Sequence, residues 1–402
     1  MGETFSPADA EEVRRTVAWA AADGVPLEIL GAGTKRGFGH PVAAGHRLEL
    51  GRLAGIVAYE PAELVLTARA ATSLAEIDSM LRQSRQQLAF EPPDLGPLLG
   101  AGPERATLGG VLAANLSGPR RILAGAARDH ALGVAFVSGR GEAVKAGGRV
   151  VKNVTGYDVT KLLCGSWGTL GVMTEVTVKV LPAPERTRTV LVAGLDPVAA
   201  VRCLGAALAS PHEVSAAAHL PAAAAARSAV SYVASAGAPV TAVRVEGPPV
   251  SVAARNDALR ALFAPFGLVE ELHSHNSAAF WRELRDASLV PAEAPSVWRL
   301  SLPPASGGRV LVALEGEGAQ GWLDWGGGLL WLAAPEAAAG AVRRAAQEAG
   351  GHATLVRAGD SLKAAVGVFQ PQPAARAALS RRIREGFDPR GILNPGRLGG
   401  EA

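Results

Sequence analysis

The chain has 402 residues, 48% hydrophobic and 19% charged, with 40 basic against 37 acidic side chains and a formal net charge of +3. That length exceeds one ordinary core and calls for two or three domains, and the apolar fraction excludes a disordered chain. The near balance of charge, with no basic run interleaved with aromatics, excludes a nucleic-acid surface. The two cysteines, Cys164 and Cys203, are too few for an iron–sulfur cluster, which wants four thiolates. They lack a CxxC spacing and read as small buried hydrophobes. No segment approaches the ~20 apolar residues of a membrane span, and Met1–Ala10 lacks the basic and apolar regions of a secretion signal. A cytoplasmic location is expected.

In chain order, Ser6-Pro7 predicts a helix start, Val13 and Val17 recur at helical spacing, and Asp23-Gly24 marks the end. A strand over Pro26–Leu30 enters a glycine loop, Gly31-Ala32-Gly33-Thr34-Lys35-Arg36-Gly37. Extended runs follow at Arg47–Leu50, Ile56–Glu60 and Leu64–Ala70, and Ser73 with Glu76 forms a capping box for a helix reaching about Arg85. Residues 91–106, rich in Pro and Gly, read as a long loop of the kind that lines a site. Thr107–Asn115 reads as a helix whose amino end faces that loop. Ala131–Val144 reads as a hairpin turned at Ser138-Gly139-Arg140-Gly141, and Val172–Val180 as a strand. Leu181-Pro182-Ala183-Pro184 marks a domain boundary. Beyond it, strand-like runs at Thr189–Ala193, Ala242–Glu246, Trp298–Leu302, Leu329–Ala333 and Ala353–Arg357 alternate with Ala-rich helical runs. That alternation predicts an α+β unit with helices over one sheet face. A helix from Pro371 to about Glu385 leads to Gly391-Ile392-Leu393-Asn394-Pro395-Gly396-Arg397.

The first glycine loop has the spacing G-x-G-x-x-x-G and runs into Phe38-Gly39-His40-Pro41, so it is not the fingerprint that opens a Rossmann helix. It is either a plain turn or a nest of backbone N–H groups for a diphosphate, with Thr34 adding a hydroxyl and Lys35 and Arg36 adding charge. A second loop carries Gly165, Gly168 and Gly171 ahead of Val172, where the missing Cβ lets backbone approach a flat ligand. Arg120, Arg121 and Arg128 lie among glycines, serving phosphates or simply solvated. Lys152, Asn153, Tyr157 and Asp158 form a polar cluster at a helix start, where an acid favours the helix dipole.

These segments, with Ala106-Thr107-Leu108-Gly109-Gly110, Arg128-Asp129, Lys152–Asp158 and Gly165–Glu175, resemble the FAD-binding domain of the vanillyl-alcohol oxidase and p-cresol methylhydroxylase family. The likeness covers roughly residues 7–182, with a short echo at Phe387–Arg397. Within that family the chain is most similar to the smaller FAD-binding subunits of bacterial glycolate oxidases. The resemblance implies an α+β fold: an FAD-binding domain over 1–183, an α+β cap over 184–370 and a C-terminal segment, 371–402, returning to the FAD domain. It implies FAD, with Gly31, Ala32, Gly33, Thr34, Lys35, Arg36 and Gly37 on the pyrophosphate. Thr107, Leu108, Gly109, Gly110 and Asn115 would lie against the isoalloxazine and ribityl side. Arg128, Gly168, Thr169, Gly171, Val172, Asn394 and Arg397 complete the implied cofactor-binding set. Some family members attach flavin through a His in the first loop; here none stands between Gly33 and Gly37, and His40 lies beyond, so FAD is expected to be non-covalent.

The resemblance further implies a subunit of a complex that oxidises glycolate or another small 2-hydroxy acid. Its partners would be a second flavoprotein and an iron–sulfur protein, with inner-membrane association only through them. His273, His275 and His352 are candidate general bases. The H-x-G-D-G-N-x-H metal stretch of catalytic relatives has no counterpart here, so no metal is expected and the catalytic residues stay unassigned. Two alternatives remain: a self-sufficient FAD-dependent oxidase of another hydroxylated molecule, and a flavin-holding electron-relay subunit without a substrate of its own.

Overall fold

The computed structural model describes residues 2–148 and 156–399. The expected Lys152 and Asn153 positions lie outside the described residues. Two compact units emerge: Met1–Ser117, Ala126–Ala183 and Pro371–Ala402 form the first, and Gly118–Gly125 with Pro184–Gln370 the second.

The first unit opens with a helix that starts later than Ser6-Pro7 suggests. Asp9 is the cap, accepting the Glu12 N–H at 2.8 Å, so the helix runs Ala10–Asp23 and ends at left-handed Gly24. Its buried face, Val13, Val17 and Ala20, packs on a small parallel sheet. That sheet holds β1 (Thr4–Phe5), β2 (Leu27–Leu30) and β3 (His46–Glu49) in the order β1-β3-β2. An antiparallel sheet follows from β4 (Ile56–Glu60), β5 (Val65–Arg69), β7 (Ala131–Val137), β8 (Ala143–Gly147) and β9 (Val172–Lys179), ordered β4-β5-β9-β7-β8. The remaining strands, β6 (Gln86–Gln87) and β10 (Leu181–Pro182), pair with each other. Ser73 caps the helix Leu74–Gln83, and Thr107 caps the helix Leu108–Ala113.

The chain end is stitched into this unit. After the helix Ala374–Phe387, the Asp388 carboxylate accepts the N–H groups of Ile392 and Leu393 at 3.1 and 2.7 Å, closing the Asp-Pro-Arg-Gly turn. Leu393 then bridges Leu27 in parallel, with Leu27 N–H on the Ile392 carbonyl and Asn394 N–H on the Leu27 carbonyl. Ile392 and Leu393 are buried in the same core as β2.

The second unit is built on one eight-stranded antiparallel sheet. Its strands are β11 (Arg186–Ala193), β12 (Ala216–Leu220), β13 (Val240–Gly247), β14 (Val269–Leu272), β15 (Ser296–Ser301), β16 (Gln320–Asp324), β17 (Leu329–Ala334) and β18 (His352–Arg357). The order is β14-β11-β13-β12-β16-β17-β15-β18. Three strands, β12, β14 and β16, are absent from the sequence reading. β12 reads Ala-Ala-Ala-His-Leu, a helical composition, yet every residue is buried and small side chains let the helix Pro197–Leu208 pack close.

Residues 118–125 depart from the expected 1–183 boundary. The indole N–H of Trp325 donates to the Gly118 carbonyl at 3.1 Å, Arg120 makes two 2.9 Å bonds to Glu246, and Ile122 packs against the buried core around Val243. These contacts fold the segment into the second unit.

Candidate functional site

The first glycine loop leaves β2 with a row of open donors. Gly33 adopts φ 71°, and the turn closes with Arg36 N–H on the Gly33 carbonyl and Phe38 N–H on the Lys35 carbonyl, both at 3.0 Å. Among the described residues, the N–H groups of Gly31, Ala32, Gly33, Thr34 and Lys35 meet no protein acceptor. Thr34 and Lys35 are nonetheless buried, at 4% and 8% exposure. Buried backbone donors are almost always paired, so such a row calls for an anion.

The Lys35 side chain points the same way. Its ammonium reaches the Thr34 hydroxyl at 3.4 Å and makes no ion pair. Burial pushes its pKa down to about 8, with Asp94 opposing the shift. The capped helix closes on this loop: a Cβ at Gly31 would stand 2.9 Å from Thr107 Oγ1, and one at Gly110 would stand 3.0 Å from that oxygen and 3.7 Å from Lys35 Nζ. Across the unit, the buried Ser166 hydroxyl has no hydrogen-bond partner. A diphosphate-bearing cofactor with further polar edges fits this donor set: a buried cation, open amides and an orphaned hydroxyl.

Asn394 and Arg397, expected on the cofactor, make their hydrogen bonds to protein backbone groups. Asn394 Oδ1 accepts Ile29 N–H at 2.7 Å while its amide nitrogen donates to the Trp167 carbonyl at 2.8 Å, tying β2 to the second glycine loop. Arg397 donates to the carbonyls of Lys35 at 3.0 Å, Arg36 at 3.0 Å and His40 at 3.1 Å, and lies over the Trp167 ring. Both side chains are buried. The second loop is fixed to the capped helix as well, through Gly165 N–H on the Leu112 carbonyl and Trp167 N–H on the Ala113 carbonyl.

Several sequence expectations are corrected. Arg36 does not offer charge to a phosphate, because Glu28, buried on β2, takes its guanidinium through two bonds of 2.7 and 2.8 Å. Arg120 is likewise committed to Glu246. Gly109 and Gly171 are glycines for packing reasons. A Cβ at Gly109 would stand 2.8 Å from the Ala70 carbonyl, and one at Gly171 only 2.5 Å from the Phe136 ring. The sheet's own packing is therefore enough to require glycine at 171. Gly168 (φ 73°) needs its freedom for the turn and for Asn394, whose amide nitrogen lies 2.8 Å from where a Cβ would be.

The other expected residues support the loops. Asn115 (φ 48°) accepts the Arg128 N–H at 3.1 Å, and the Arg128 side chain is exposed. Thr169 bonds the Ser166 carbonyl at 2.7 Å, Val172 starts β9 in register with Val137, and Leu108 is fully buried. Asp158 caps the helix Val159–Leu163, while Tyr157 is exposed. Ser166, Trp167 and Glu28 went unrecognised; an acid inside an apolar strand was the one available signal for Glu28. His273, His275 and His352 all lie exposed on the second unit. Burial pushes both cysteine thiols up to about 12. Among the described residues no group of three or more His, Cys, Asp or Glu is placed to hold a metal.

Residues 4–147, which carry the first loop and the capped helix, match an FAD binding domain family. Over 400 residues the chain is 34% identical to glycolate oxidase subunit GlcE of Escherichia coli (strain K12), covering 98% of this chain and 97% of that one. The chain belongs to the GlcE family. It is 32% identical over 188 residues to glycolate oxidase subunit GlcD of Bacillus subtilis (strain 168), covering 46% of this chain and 38% of that one. The fold matches p-cresol methylhydroxylase at a TM-score of 0.75 and 14% identity, across 98% of this chain and 88% of that one. It also matches 4-ethylphenol oxidase from Gulosibacter chungangensis, at a TM-score of 0.72 and 13% identity, across 98% of this chain and 88% of that one. The α+β flavoprotein fold and the FAD-linked oxidoreductase class expected from the motifs therefore stand.

Proposed function

We propose that the chain is the FAD-binding subunit of a glycolate oxidase complex and holds FAD non-covalently. The observation that carries the reading is the 34% identity to GlcE along nearly the whole of both chains. In this reading the amides of Gly31–Lys35 receive the pyrophosphate, Lys35 neutralises it, and Ser166 offers a hydroxyl to the cofactor. Asn394 and Arg397 hold the two loops in place. Bound FAD supplies the two-electron acceptor for a 2-hydroxy acid. No histidine lies between Gly33 and Gly37 to form a covalent link.

Similarity to GlcD as well as GlcE supports a multi-subunit assembly. An iron–sulfur protein is the proposed further partner, since two cysteines here cannot ligate a cluster. No helix among the described residues is long and apolar enough to cross a membrane, so inner-membrane association is proposed only through partners.

The test is to purify the chain alone, record its visible spectrum, precipitate it with acid and add glycolate with and without co-expressed partners. Yellow protein that releases its flavin to the supernatant, and that glycolate bleaches only beside its partners, is the expected result. Colour retained in the pellet refutes non-covalent binding. Full-rate oxidation by the isolated chain establishes the self-sufficient oxidase, and colourless protein removes the flavin reading.

A further inference from the structure

The helix Ala374–Phe387 is an exception among the long helices of the fold. It has 14 residues and buries none of them, whereas every other described helix of ten or more residues buries at least two. Its inner side, Ala377, Ser380, Ile383, Arg384 and Phe387, is only half-buried. The carboxyl end is tied down. Phe387 lies 6.2 Å from the Phe136 ring and its carbonyl accepts the Gly139 N–H at 3.0 Å, while Arg140 donates to the Gly386 carbonyl at 3.1 and 3.3 Å. Helices near about 12–15 residues are marginal in water on their own, so a helix with so little packing gains from a further surface.

The helix is also where the charge is. It carries Arg376, Arg381, Arg382 and Arg384 against Glu385 alone; of the chain's 40 basic and 37 acidic side chains, 36 of each sign lie elsewhere. The whole formal excess of +3 therefore sits on this one helix. Arg376, Arg381 and Arg382 are exposed and make no side-chain hydrogen bond or ion pair among the described residues. Arg140, also exposed, adds a cation at the carboxyl end, where the helix dipole favours one.

We propose that this helix is a docking face for an acidic surface of the GlcD-type subunit, with Arg381 and Arg382 at its centre. Guanidinium groups take carboxylates in bidentate pairs, and arginine is enriched at protein interfaces. A membrane fits less well. Between the arginines the outer side presents Ala375, Ala378 and the half-exposed Leu379, and one large apolar side chain gives a bilayer little to hold. The identity of the partner rests on the glycolate oxidase reading above; the basic face does not.

The test is to immobilise the full, flavin-loaded chain and titrate it with purified GlcD-type subunit from the same host by surface plasmon resonance. The native chain should bind, and added salt should weaken binding steeply by screening. Reversing the charge with Arg381→Glu and Arg382→Glu together should weaken binding about 10- to 100-fold. Arg381→Lys with Arg382→Lys, which keeps the charge, should stay within about fivefold of native. Both pairs lie on exposed sites, so melting temperature and flavin content should match the native chain. Equal weakening by the two pairs, or binding indifferent to salt, overturns the docking face. Charge-dependent binding of the native chain to vesicles of phosphatidylcholine and phosphatidylglycerol in equal parts, with none to the subunit, overturns it in favour of a membrane. No binding of the subunit at any salt sinks the reading as a complex and this face with it. A complex that the Glu pair leaves at full affinity sinks this face alone.

Discussion

Replacing Asn394 with Ala tests the clamp most directly. The change deletes the bond from Ile29 N–H at 2.7 Å and the bond to the Trp167 carbonyl at 2.8 Å. One neighbour is a donor and the other an acceptor, so the orientation of the Asn394 amide is fixed by its partners. Each lost bond at a part-buried site costs about 1 kcal/mol, the low end of the usual 1–3. Asn394 also stands at φ 45°, where Ala adds about 1 kcal/mol. The sum is about 3 kcal/mol, or a Tm fall of roughly 6–12 °C for a unit of this size. Because the lost bonds join β2 to the second glycine loop, that free energy also biases the cofactor-ready arrangement. FAD affinity should fall by about 10- to 100-fold. The assay pairs thermal unfolding with titration of flavin-free protein by FAD, read by flavin fluorescence. Ile77→Ala, a fully buried core site away from the clamp, supplies a control of about 2–5 kcal/mol. If Asn394→Ala binds FAD no worse than Ile77→Ala at equal loss of stability, the positioning argument is wrong.

Two further outcomes follow from the same geometry. Lys35 has a folded value of about 8 against an ordinary 10.5, so between those pH values the unfolded chain holds more protons. Stability of the flavin-free protein should therefore rise with pH through that window, while FAD affinity should fall as the cation is lost. Lys35→Met should erase both slopes in pH-dependent melting and titration, and slopes that survive it would assign them elsewhere. Gly171→Ala places a methyl 2.5 Å from the Phe136 ring and should destabilise the fold itself by about 1–3 kcal/mol. Phe136→Leu should rescue it in unfolding measurements, and failure of that rescue would return the constraint to the ligand side.

Much of the first unit is legible because its signals are local. Ser73 and Thr107 announce their helices by capping, and the β-branched run from Val172 announces β9. The three strands of the second unit that escape reading lack that local mark. β12 is alanine-rich, β14 carries two glutamates, and β16 opens on Gln-Gly; each is a strand because its neighbours pair with it. The site divides similarly. Lys35 and Arg36 are adjacent and equally basic, yet one is buried without an ion pair and the other is taken by Glu28, eight residues back. Gly109 and Gly171 do signal close approach. Sequence cannot say approach to what, and the answer is Ala70 and Phe136.

The tail at 394–397 also explains how a loop without a helix behind it can aim its donors. In a trans peptide the carbonyl of one residue and the N–H of the next point in opposite directions. Arg397 takes the Lys35 carbonyl, which turns the Arg36 N–H the other way, onto the Gly33 carbonyl. With the Gly33 carbonyl so engaged, the next N–H, that of Thr34, faces away from the turn and into the row of open donors. Left-handed Gly33 makes the reversal possible at no steric cost. A Rossmann loop gets such alignment from the first turn of its helix. Here a guanidinium 362 residues away in sequence does it, one carbonyl at a time.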